Sequence, residues 1–139
     1  MGRNQQSGFT LIELIAVLVI LGILAATAIP RFVNLQDEAA EAAVRGVAGS
    51  IESGAALNHA VDLAVEAKLT TTSTDPFYNI SNCADGGVLL QGGLPAGYSI
   101  ASKPVGDKIA VTCTLTGDTG KSAEFVIIGA AGGIDPPSE

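Results

Sequence analysis

Seven basic side chains, a single histidine, two cysteines and no tryptophan are spread over 139 residues, and each scarcity removes a class of chemistry. The Lys and Arg residues form no run and face fourteen Asp and Glu, for a formal net charge of −7. Binding to a phosphate backbone rests on clustered cations, so generic nucleic-acid binding is excluded. A metal site on His59 would need partners at ligand spacing, and none flanks it. His59 is therefore expected at the surface or at a helix edge. No glycine-rich phosphate loop and no hydrolase elbow occurs. Asp107, Asp118 and Asp135 fall in turns at spacings that fit no calcium loop, and they read as solvated turn residues. No catalytic residue, metal ligand or cofactor is assigned. The chain reads as a non-enzyme.

What the chain does have is one long apolar run. Phe9–Ile29 reads FTLIELIAVLVILGILAATAI, 21 residues in which Glu13 is the only charge. The mean hydropathy of the whole chain, +0.43, owes its excess to this stretch. As a helix the run is about 31 Å long, close to the roughly 30 Å core of a bilayer. A carboxylate at the centre of such a span costs about 2.5–3.5 kcal/mol, and less near an end. Residues 1–8 are short and polar, with Arg3 as their one charge. In a secretory signal the small cleavage residue follows the apolar run, whereas here Gly8 precedes it. Cutting at Gly8 leaves the run as the new N-terminus. The alternative is an uncleaved anchor with Arg3 on the cytoplasmic side.

Gly8-Phe9-Thr10-Leu11-Ile12-Glu13 and the apolar run behind it resemble the type IV prepilin signature, a likeness that extends through Gly22, Pro30 and Arg31-Phe32 to about Gln36. The resemblance implies cleavage by a prepilin peptidase between Gly8 and Phe9, N-methylation of Phe9, and polymerisation into a filament. Within it Glu13 acquires a role. The free amine of Phe9 and the Glu13 carboxylate neutralise each other in low dielectric, within one subunit or between neighbours, and so select the register of assembly. The competing reading leaves Glu13 hydrated near the interface. Pro30 removes a helical hydrogen bond to Ala26, and Gly22 weakens the helix by about 1 kcal/mol. The resemblance implies that the segment between them unwinds on assembly; the plainer reading is that Pro30 marks where the helix leaves the membrane.

From Val33 to about Leu69 apolar residues recur mostly three or four positions apart, at Val33, Ala40, Val44, Val47, Ile51, Ala55, Leu57, Val61 and Val65. Asp37, Glu38, Glu41, Arg45, Glu52 and Asp62 fall largely between them, which predicts an amphipathic helix with its charges in solvent. Gly46, Gly49 and Gly54 permit close approach, either of the chain's own sheet or of another subunit. The stretches FVNLQDEA and SGAALNHA are similar to the mannose-sensitive haemagglutinin branch of the pilins.

Thr70–Asn82 is loop-like, with a hydroxyl cluster at Thr70–Thr74 that is either plain or glycosylated, followed by Asp75-Pro76. Asn79-Ile80-Ser81 matches an N-glycosylation sequon too common to carry weight. Val88–Gln91, Tyr98–Ser102, Ile109–Leu115 and Ala123–Ile128 read as strands between turn formers. The fold class expected is α+β: a long N-terminal helix packed on a C-terminal antiparallel sheet of about four strands. The layout is a leader at 1–8, a membrane and filament-core helix at 9–30, and an extracytoplasmic domain at 31–139. That domain divides into helix 31–69, loop 70–87, sheet 88–128 and a loose, exposed tail 129–139. Outside the cytosol Cys83 and Cys113 are expected to form a disulfide, with two free thiols as the alternative.

The function expected is that of a type IV pilus subunit for adhesion, biofilm formation or motility. The alternatives are a type II secretion pseudopilin or minor competence pilin, and a non-polymerising membrane-anchored binding domain. The partners implied are other copies of the chain, the prepilin peptidase, the assembly machinery of the inner membrane, and the membrane itself. The place implied is the inner membrane first and the extracellular pilus afterwards. Six aromatics in all give little support for an electron-conducting filament.

Overall fold

The computed structural model describes residues 8–137, with Pro30, Val33 and Asn34 described by backbone alone. The leader expected at 1–8 therefore lies outside the described residues except for Gly8. One helix, α1, spans Leu11–Glu66, and the chain divides into two compact units that meet between Glu38 and Ala39.

In the first unit the stretch Leu11–Ile29 is long and apolar enough to cross a membrane, and none of it is buried within the chain. The segment from Gly22 through Pro30 is helical. Thr27 turns its hydroxyl onto the Leu24 carbonyl at 2.9 Å, so its polar atom is satisfied within the helix.

The second unit is built on a stripe of α1. Val44, Ala48, Ile51, Ala55, Asn58 and Asp62, alternately four and three residues apart, are all buried. The first four pack against the inner face of a sheet. Its strands are β1 (Ser99–Ile100), β2 (Ala110–Thr116) and β3 (Ser122–Ile128), antiparallel in the order β1-β2-β3. In β2 and β3 every second residue points inward, which places Cys113, Leu115, Phe125 and Ile127 in the core. The hairpin between them closes through Gly117 and Lys121, with Gly120 at φ +78° as the left-handed turn residue. Glu52 on α1 accepts the Val126 amide at 3.1 Å, which occupies one outward donor of the edge strand.

Four expectations need correction. The sheet has three strands, because Val88 and Leu89 close a 3-10 helix, Cys83–Leu89, rather than forming a strand. Asn82 caps that helix by accepting the Ala84 amide, and Asp85 accepts the amides of Ser81 and Asn82. Gly86 lies against Ile51, Ile100 and Ile127, and Cys83 is bonded to Cys113. These anchors override the β propensity of the sequence.

Secondly, α1 stops at Glu66 rather than near Leu69. Lys68 takes a left-handed φ of 57°, and the Leu69 amide reaches back to the Ala64 carbonyl at 2.9 Å. That is a Schellman stop with lysine in the usual glycine position. Thirdly, the tail is not loose over its described part. Ala130 is buried and pairs with Ile80 in both directions, and Ile134 exchanges hydrogen bonds with Phe77 and Asn79. Fourthly, Leu57 is 70% exposed and Asp62 only 2%, the reverse of their expected faces.

Candidate functional site

The site marked by the sequence begins where α1 begins. Gly8 and Phe9 precede the helix and are exposed, Phe9 to 85%. Thr10 is the N-cap. Its amide and its hydroxyl both donate to Glu13 Oε2 at 2.8 Å, while the Glu13 amide donates to Thr10 Oγ1 at 3.4 Å. This reciprocal pair is a capping box: two amides left without helical partners at the first turn are satisfied by side chains. The carboxylate also sits where the positive end of the helix dipole favours it. A capping role for Glu13 was readable in the Thr10-x-x-Glu13 spacing, but the membrane reading concealed it.

The remaining predicted positions do not converge on this point. Gly22 lies further along the span, and a Cβ added there would meet nothing within 4 Å. Pro30 continues the helical backbone at the far end of the apolar stretch. What these residues share is a surface. Leu11, Ile12, Leu14, Ile15, Leu18 and Leu21 are each about half exposed or more, so apolar side chains point outward around the whole helix.

Cys83 and Cys113 form the expected disulfide, with Cα atoms 5.8 Å apart. Both cysteines are buried, and the bond ties the first residue of the 3-10 helix to the centre of β2. Asn79, the first residue of the sequon, is fully used: it donates to Asp135 Oδ1 and accepts the Gly133 amide. A cleft of about 720 Å³ opens nearby, lined in part by Asn79, Asp85 and Asp135. Those polar groups already serve internal hydrogen bonds, so the cleft has little left to offer a ligand.

One comparison with known proteins falls on the same segment. Residues 3–29 match the family model described as the prokaryotic N-terminal methylation motif. The chain is 37% identical over 115 residues to the major component of a type IV narrow pilus, PilA5, of Thermus thermophilus, covering 83% of this chain and 84% of that one. It is 52% identical over 46 residues to the type II secretion system core protein G of Pseudomonas aeruginosa, covering 33% of this chain and 32% of that one. No solved structure matches the chain.

Proposed function

The chain belongs to the type IV pilin family, and from that premise we propose that it is the structural subunit of a type IV pilus, cut between Gly8 and Phe9 and N-methylated on Phe9. The observation that carries this reading is the uncovered helix Leu11–Ile29. Apolar surface exposed around a full helix is stable in lipid before assembly. After assembly it needs the same surface of neighbouring subunits, so lipid contacts are exchanged for helix contacts. Removing residues 1–8 leaves six basic against fourteen acidic side chains, so the polymer presents an acidic exterior.

Cleavage also creates a cation, the Phe9 amine, one residue before the Thr10 cap. Glu13 is then the nearest carboxylate along the chain, and pairing the two in low dielectric removes the cost of both charges. The weak stretch from Gly22 to Pro30 is where the helix unwinds as subunits pack. The role is structural rather than enzymatic, in adhesion, biofilm formation or motility. The prepilin sits in the inner membrane, served there by the peptidase and the assembly machinery, and the polymer lies outside the cell.

A second reading has one specific observation behind it. The short, strong similarity to core protein G suits a secretion pseudopilin, but it is confined to a third of the chain. Similarity over most of the chain favours the pilus. Intact mass and N-terminal analysis of sheared cell-surface material separates the readings. A chain beginning at methylated Phe9 in a polymeric fraction is the expected result. A cut chain never found outside the cell would point to a pseudopilus, and an uncut chain confined to membranes to a plain anchor.

A further inference from the structure

Two ionisable side chains near the end of α1 face each other with unmet buried atoms and have no part in the proposed assembly. Asp62 is 2% exposed, and His59 precedes it by three residues. His59 Nδ1 and Asp62 Oδ2 stand 4.0 Å apart. Both atoms are buried, and neither has a hydrogen-bond partner among the described residues. With the ring hydrogen on Nε2, His59 Nδ1 is an acceptor facing a second acceptor, and at 4.0 Å no hydrogen is shared between the two.

We propose that His59 and Asp62 form a single proton-binding site that secures the C-terminal end of α1 within the domain. One proton from solvent is held between Nδ1 and Oδ2, converting two unmet acceptors into a donor and an acceptor. The contact then shortens to a charge-assisted hydrogen bond.

The charged groups around the pair are Glu66 from α1, and Asp107 and Lys108 from the turn before β2. The Lys108 ammonium contacts Glu66 at 2.5 Å and Asp107 at 3.3 Å, so it is already shared between two other carboxylates. Burial therefore dominates at Asp62 and raises its pKa, despite the attraction of Lys108. A carboxyl with a raised folded-state pKa binds its proton more tightly folded than unfolded. Its contribution is fully present below the unfolded value and is lost as pH rises through the folded one.

His59 is the only histidine in the chain, so its ring signals need no assignment strategy. The test is an NMR titration of the full chain in detergent micelles from pH 8 to pH 4, following the His59 ring nitrogens and the Asp62 carboxyl carbon. It is repeated in urea, and urea unfolding is measured at each pH. The expected result is that Asp62 protonates at higher pH in the folded chain than in urea. Across that interval the folded-to-unfolded ratio rises as pH falls, by up to tenfold per pH unit. General relief of acidic repulsion acts on every variant alike, so the extra slope is read against His59→Gln and Asp62→Asn, each of which should remove it. An equal Asp62 titration midpoint in folded and unfolded chain would overturn the proposal, even if neither variant folds. Variants that keep the full wild-type slope would overturn it as well.

Discussion

The side chain of Asn58 pairs with the backbone of Tyr78 as one strand pairs with another. Asn58 Oδ1 accepts the Tyr78 amide at 2.7 Å, and Asn58 Nδ2 donates to the Tyr78 carbonyl at 2.9 Å. A buried helix residue thereby holds the loop segment that carries Phe77 and Ile80 into the core. Asn58→Ala leaves both backbone groups unmet, at about 1–3 kcal/mol each when desolvated. Because Tyr78 is partly exposed, the lower part of that range applies, and a loss of about 2 kcal/mol is expected in urea unfolding. A loss below half of this would mean that water replaces Asn58 without cost.

The disulfide closes a loop of 30 residues between the 3-10 helix and β2. Constraint of the unfolded chain predicts a stabilisation of about 3–4 kcal/mol. The double variant Cys83→Ser, Cys113→Ser should lose roughly that amount. In the native chain both cysteines are buried, so thiol labelling after mild reductant should proceed only as fast as the domain opens. Rapid labelling under native conditions would contradict the burial.

The glycines of α1 divide by what lies opposite them. A Cβ at Gly54 would come within 2.9 Å of the Leu89 backbone oxygen, whereas one at Gly49 would meet nothing within 4 Å. Gly49→Ala should stabilise the detergent-solubilised subunit by up to about 1 kcal/mol through helix propensity. Gly54→Ala forfeits that gain, since the 3-10 helix has to move to make room. Equal stabilisation of both variants would show that the contact with Leu89 yields freely.

Lys108 fastens the turn before β2 to the end of α1. Its hydrogen bond to Glu66, reinforced by Asp107, raises its pKa above the ordinary lysine value. A lysine whose folded pKa is raised contributes stability that is complete below the unfolded value, near 10.5, and lost as pH rises through the folded one. Lys108→Met should therefore be less stable than the parent at pH 8, with the gap closing above that folded value. An unchanged gap at both extremes in urea midpoints would assign the effect to packing of the stem instead of its charge.

Much of this architecture was legible because it repeats. The period of Val44, Val47, Ile51 and Ala55 announced a helix, and the alternation in Ile109–Leu115 announced β2. The misreadings lie where a distant residue decides. Val88–Gln91 has strand composition, but Cys113, thirty residues from Cys83, fixes the neighbouring backbone as a 3-10 helix. Asp62 reads as one of the charges of a solvated face, and nothing in the local pattern singles out Asn58. Asn58 is held by Tyr78, and the charges of the turn at Lys108 act on Asp62, neither of which local periodicity encodes. The helix stop at Glu66 was hidden because Lys68 occupies a conformation that usually signals itself by glycine.

Glu13 has an observed role as a cap and a proposed one as a counter-ion, and the two can be separated. As the capping partner of Thr10 it needs only an acceptor oxygen in the right place, which glutamine also supplies. As the counter-ion of the Phe9 amine it needs a negative charge, which glutamine lacks. Glu13→Val removes both functions, so filament loss in that variant does not distinguish them. Glu13→Gln keeps the cap and removes the charge, while Thr10→Val removes the hydroxyl half of the cap and keeps the charge. If charge pairing governs assembly, Glu13→Gln should insert in the membrane and be processed normally, yet yield less than a tenth of the wild-type filament in sheared fractions, in line with an uncompensated charge costing several kcal/mol in lipid. Thr10→Val should still assemble, with a helix start weakened by about 1 kcal/mol. Normal filaments from Glu13→Gln, together with none from Thr10→Val, would reverse the assignment: the glutamate would then matter to assembly as a helix cap, and the Phe9 amine would have to find its counter-charge elsewhere.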